Sequence, residues 1–180
     1  MIYIFLANGF EEIEALFPLD LLRRAGLDVT TVAIGESKVV MGAHGIPVTA
    51  DVKDVELALE NLDAIILPGG MPGTLNLENS ATVQNAIKVA VENKKLICAI
   101  CAAPSFLGKL GHLNGRKATC FPGFEQYLKD AIITDERVVR DGNFITAKGM
   151  GCGAEFGLAI IEALLGKEKA KEVAHTAFVK

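Results

Sequence analysis

A mainly parallel α/β sheet covered by helices on both faces is the fold this sequence predicts. Short strands that are apolar throughout, such as IYIFLA (2–7) and LICAI (96–100), alternate with longer helical patterns. A strand without polar alternation is buried on both sides, and helical crossovers are what bury a parallel sheet. In such sheets the working groups collect at the carboxyl ends of the strands. That directs attention to residues 8–14, 68–73, 101–104, 120–122 and 148–153.

Taken in order, 2–7 is a strand, 11–26 a helix and 28–35 a strand. Residues 45–51 are extended, 55–62 a short helical piece and 63–70 a strand. A helix over 80–95 leads to the strand 96–100 and a helix over 102–110. KATCF (117–121) reads as a strand, 123–130 as a helical turn or two, and 137–148 as a hairpin around Asp141-Gly142. Helices over 154–166 and 167–178 close the chain. With no repeat, linker or low-complexity tract, residues 1–180 read as one domain.

Composition narrows the function. The chain is 51% hydrophobic and 22% charged, with a net charge of −4 and its basic residues scattered. Nothing in that pattern suggests a nucleic-acid or anionic-membrane surface. No apolar run approaches the ~20 residues needed to span a bilayer. The first residues read as a strand rather than a signal peptide. Cys98, Cys101, Cys120 and Cys152 are therefore expected as reduced thiols in a cytoplasm.

Cys98 and Cys101 have CxxC spacing, but Cys98 lies inside the predicted strand. Strand side chains alternate, so the two thiols are expected on opposite faces, with Cys98 a small core residue. His44, His112 and His175 are isolated in sequence, and no metal site is expected. Cys101 stands where strand becomes helix, in AICAA. A strained strand–nucleophile–helix turn requires such small neighbours. The following helix N-terminus is expected to favour thiolate. On these residues alone Cys101 is either a nucleophile or a structural cysteine.

Glu14 falls in the middle of the apolar stripe of the first helix, near Phe10, Phe17 and Leu21, with Glu12 and Arg23 opposite. Buried there, its carboxyl pKa would rise. A thiolate beside a neutral carboxylic acid is a nucleophile with a proton donor. In LPGGMPG (67–73), Gly69 and Gly70 could offer amides to an oxyanion, together with Ala102. Neither GK[ST] nor GxGxxG is present there to bind a nucleotide phosphate. KGMGCG (148–153) reads as a turn lining the pocket, with Cys152 structural.

With these residues in place, the chain resembles the ThiJ/PfpI superfamily, in the branch of the parkinsonism-associated protein deglycase and its bacterial relatives. GFEEIEALFPLDLLRRAG, LPGGMPG, ICAICAAP and FITAKGMG…EFGLAIIEALLGKE match that branch in order over essentially the whole chain. The resemblance implies a flavodoxin-like doubly wound fold, usually homodimeric. It makes Cys101 the reactive cysteine, Glu14 its protonated hydrogen-bonding partner and Gly70 the oxyanion glycine, with Gly69, Phe121 and Gly149 lining the pocket. It implies cofactor-free chemistry on small aldehydes or dicarbonyls: methylglyoxal to lactate, and deglycation of proteins. It also implies oxidative-stress sensing through sulfinic acid at the cysteine. Two departures stand out. Many members carry a histidine where this chain has Phe121, and peptidase-like members have one where it has Ala102. A non-catalytic redox sensor is the rival expectation, and flavin or nucleotide binding a weaker one.

Overall fold

The computed structural model describes residues 1–179. Along the chain run β1 (Ile2–Leu6), α1 (Glu12–Arg24), β2 (Val29–Ala33), β3 (Val39–Met41), β4 (Pro47–Thr49) and β5 (Val52–Lys53). Then come β6 (Ala64–Leu67), α2 (Gly73–Glu78), α3 (Ala81–Glu92), β7 (Leu96–Ile100) and α4 (Pro104–Lys109). The last third holds β8 (Lys117–Ala118), β9 (Ile132–Ile133), β10 (Val138–Asp141), β11 (Phe144–Ala147), α5 (Gly153–Leu165) and α6 (Lys167–Thr176).

Seven strands form the central sheet in the order β10-β11-β7-β6-β1-β2-β5. Every pairing in it is parallel except the β10–β11 hairpin. The expected α/β architecture, flavodoxin-like and doubly wound, is the observed one. Alternation along each buried strand divides the core. Ile2, Ile4 and Leu6 join Ile66, Cys98, Ile100 and Ile145 under α1 and α5. Tyr3, Phe5 and Ala7 join Ile65, Leu67, Ile97 and Ala99 under α3 and α4.

Several local expectations are corrected. The piece at 55–62 is a single 3-10 turn, Asp54–Glu56. Only Lys117 and Ala118 of the stretch 117–121 are strand, paired with β9 outside the main sheet. β3 and β4 form a separate antiparallel hairpin. α2, unforeseen because Gly and Pro are poor helix formers, packs on β1 and α3. α4 starts at Pro104 rather than at residue 102.

α1 and α5 pack closely because Gly157 has no side chain: a Cβ there would lie 3.0 Å from Leu21 Cδ1 and 3.1 Å from Pro18 Cα. Alanine's gain in helix propensity, about 1 kcal/mol, opposes that crowding, whereas valine adds two methyls with nowhere to go. Gly157→Val should destabilise the fold by about 1–3 kcal/mol. Urea unfolding checks this, as a lower midpoint at unchanged slope.

Candidate active site

Cys101 follows β7 with φ +64°, a left-handed conformation unusual for a residue with a Cβ. Such strain costs on the order of 1–3 kcal/mol and persists only where neighbours hold it. Here its amide donates to Ala147 O at 2.9 Å, and the Phe121 amide donates to its carbonyl at 2.8 Å. The turn reverses the strand alternation. Cys101 therefore packs against the same α1–α5 core that contains Cys98, not on the opposite face as expected. Cys98 itself is fully buried, a core residue as expected. The amides of Gly70 and Ala102 both approach the Cys101 sulfur. Gly69 makes room for it: a Cβ there would lie 2.6 Å from Cys101 Cβ and 2.7 Å from Glu14 Oε2.

Glu14 reaches the same point from α1. Its amide donates to Glu11 Oε2 at 2.7 Å, which caps the helix and starts it at Glu12. The Glu14 side chain is 1% exposed. Oε2 accepts from the Gly69 amide at 2.9 Å, so Gly69 serves the carboxyl rather than an oxyanion. Oε1 is buried without a full hydrogen bond, although the Cys101 thiol and the Met150 amide lie close to the carboxyl. Burial raises the Glu14 pKa to about 7, against partial relief from Cys101. Burial likewise pushes the Cys101 thiol up to about 12, with the adjacent Glu14 charge adding to it.

Burial and the Glu14 charge both act against the expected free thiolate. α4 is only six residues long and starts three residues beyond the sulfur, so its dipole loses to desolvation. The pair takes up one negative charge near pH 7 and shares one proton. Moving that proton from sulfur to the empty Oε1 changes no net charge. The site thus holds a latent thiolate with its acid already in place.

The expected pocket residues gather here. Gly149 faces Phe121, whose Cδ2 would lie 3.3 Å from a Cβ at that glycine, with Glu14 Oε1 at 3.9 Å. Phe121 is 47% exposed and offers no proton-transfer group. Two helix-face readings are corrected. Phe17 is exposed, and Glu12, expected on the outer side, is 2% exposed. Glu12 Oε1 accepts from the His44 amide at 2.8 Å, and Oε2 lies 2.9 Å from His44 Nδ1. Burial would raise the Glu12 pKa, but the His44 hydrogen bonds outweigh it and lower it; that bond in turn raises His44. Donor atoms of Glu11, Glu12 and His44 lie within 4.8 Å of one another, a grouping invisible to sequence spacing. These donors are already engaged with one another and with the α1 cap.

Two outcomes follow from these charges. Glu14→Gln removes the charge that holds the thiol up, so the pH inflection of Cys101 alkylation by iodoacetamide should fall by roughly one to three units. A carboxyl raised from 4.5 to about 7 loses folding stability as pH climbs between those values. Glu14→Gln should therefore match wild type below pH 4.5 and exceed it above pH 7, by up to about 3 kcal/mol at ~1.4 kcal/mol per unit. Separately, Glu12 is ionised above its ordinary 4.5 and His44 protonated below its ordinary 6.5. The stability lost in His44→Ala should peak between those values and shrink on either side, as read from urea midpoints across pH.

Known proteins resemble this chain over nearly its whole length. The model of the DJ-1/PfpI family matches residues 1–163. Protein DJ-1 homolog B of Arabidopsis thaliana is 40% identical over 169 residues, which cover 93% of this chain and 39% of that protein. A protein of Pyrococcus abyssi named a deglycase is 32% identical over 152 residues, 83% of this chain and 90% of its own. The structure titled Toxoplasma gondii DJ-1, oxidized, superposes with a TM-score of 0.95 at 34% identity, covering 98% of this chain and 97% of that one. A thiol on a strained turn, backed by a buried carboxyl from the first helix, thus sits in a chain that belongs to the DJ-1/PfpI family, among the DJ-1 homologues.

Proposed function

We propose that this chain is a cofactor-free enzyme acting on reactive dicarbonyls, converting methylglyoxal to lactate without glutathione or deglycating proteins, with Cys101 as nucleophile. The observation that carries this is the unpartnered Oε1 of Glu14 beside the Cys101 thiol, with the Gly70 and Ala102 amides at the sulfur. The relative named a deglycase supports the same reading.

In this mechanism Glu14 takes the thiol proton as sulfur bonds to the aldehyde carbon. The carbonyl oxygen, held by the Gly70 and Ala102 amides, then receives that proton to give a hemithioacetal. Each such donor contributes on the order of 2.7–4 kcal/mol in comparable sites. Glu14 next removes the proton from the former aldehyde carbon and returns it to the neighbouring carbon, while the hemithioacetal hydroxyl proton passes to the neighbouring oxygen. The first carbon is oxidised to a thioester as the second is reduced to an alcohol, so no external oxidant is consumed. Water cleaves the C–S bond, releasing lactate and restoring the thiol. A homodimer working in the cytoplasm belongs to this proposal. It is supported by four free thiols and by the exposed Ile13, Phe17 and Met150 near the site.

The rival reading is a redox sensor working through oxidation of Cys101. Phe121 favours it, because a sulfinate requires a hydrogen-bond donor such as the Glu14 carboxyl but no histidine. One relative is itself named as oxidised. Lactate formation from methylglyoxal alone should vanish in Cys101→Ser and stay within about twofold of wild type in Cys98→Ser; the reverse pattern sinks the assignment. No turnover in wild type, with mild peroxide adding two oxygens at Cys101 by mass spectrometry, would establish the sensor instead.

A further inference from the structure

A cavity of about 330 Å³ lies between α2, α4 and the turn at 123–127, and its Phe124 wall stands 6.5 Å, ring centre to ring centre, from Phe121 of the candidate site. Its walls are the next residues along from the groups that hold Cys101. Met71 follows Gly70, whose amide meets the sulfur, and Gly123 comes two residues after Phe121, whose amide binds the Cys101 carbonyl. Ser105 reaches it from the turn that Cys101 opens, its amide donating to Ala102 O at 3.0 Å.

The lining chemistry is mostly neutral. Leu75, Phe124 and Tyr127 supply apolar surface, the two rings standing 6.1 Å apart at 51°. Lys109 is the one charged residue in the wall. Its ammonium is already held at 2.8 and 2.9 Å by the two carboxylate oxygens of Glu78 and lies 4.9 Å from the Tyr127 ring centre. The cavity therefore has no spare cation with which to recruit an anion. The buried Thr74, also in the wall, has a hydroxyl with no hydrogen-bond partner among the described residues.

We propose that this cavity is the subsite for the substituent of the dicarbonyl, and that it takes a neutral, aryl-sized group; the assignment rests on Cys101 being the nucleophile. Volume decides the size. A methyl group is comparable to a water, whose share of the liquid is about 30 Å³, and leaves the space nearly empty. Benzene fits an apolar cavity of about 150 Å³, so an aryl ring enters here with room to turn. Apolar walls and a neutralised lysine favour such a ring over a carboxylate or phosphate.

The test compares phenylglyoxal with methylglyoxal in wild type and in Leu75→Trp, where a half-exposed α2 position grows into the cavity. Wild type should show a KM for phenylglyoxal at least about tenfold below that for methylglyoxal, the scale on which hydrophobic pockets discriminate. Leu75→Trp should remove that advantage, raising the KM for phenylglyoxal at least about tenfold more than the KM for methylglyoxal. Equal KM values in wild type, or a variant that shifts both substrates alike, would overturn the assignment. Acetophenone, an aryl ketone without the reactive aldehyde, gives a second readout by ligand-observed NMR. Binding to wild type but not to Leu75→Trp supports the subsite, and binding to both or neither refutes it. Acetophenone binding without turnover of either dicarbonyl would strike the enzymatic reading and leave the cavity assigned to neutral aryl groups.

Discussion

Three segments meet within one side chain's width at Gly69. The end of β6 brings the glycine, the end of β7 brings Cys101 and the first turn of α1 brings the Glu14 carboxyl. The missing Cβ lets the thiol and the carboxyl occupy space on either side of one backbone amide, which is itself bonded to Glu14. The parallel register of β1, β6 and β7 sets the three ends level. The site is a consequence of sheet alignment plus one absent side chain. Any residue larger than glycine at that position would part the two groups on which the chemistry depends.

Burial governs what the pair does. Desolvation raises both pKa values and outweighs the nearby amides and the short α4. An exposed thiolate on a helix N-terminus would react with any electrophile or oxidant. A thiol that yields its proton only to the adjacent carboxyl is reactive chiefly when an electrophile takes up the charge in place of the sulfur. Strain at Cys101 belongs to the same design, since the left-handed turn aims the sulfur at Glu14 and away from continued strand alternation. The Ala147 and Phe121 hydrogen bonds keep that turn from relaxing.

Much of this was legible because it rests on local pattern. Small residues around Cys101 mark a tight turn, and a carboxylate on the apolar stripe of α1 marks burial. Glu12 was misplaced for a nonlocal reason: its partner, His44, lies 32 positions away on the β3–β4 hairpin, and helical periodicity carries no information about that hairpin. Phe17 failed in the converse way, being apolar yet left exposed beside Gly153. The roles of the two glycines also divided differently from the pattern, with Gly69 bonding the carboxyl and Gly70 facing the sulfur.

The sequence by itself determined the α/β class, the place of Cys98 in the core, and the identities of the thiol and carboxyl that meet. Those follow from hydrophobic period, side-chain size and the cost of burying charge, which act within one element. Tertiary structure alone decided the protonation balance of the pair, the Glu12–His44 contact, and the cavity walled by Met71, Ser105 and Phe124. Each of these depends on distances between residues far apart in the chain. Desolvation and hydrogen bonding are set by what surrounds a group in space, and sequence spacing does not record those surroundings.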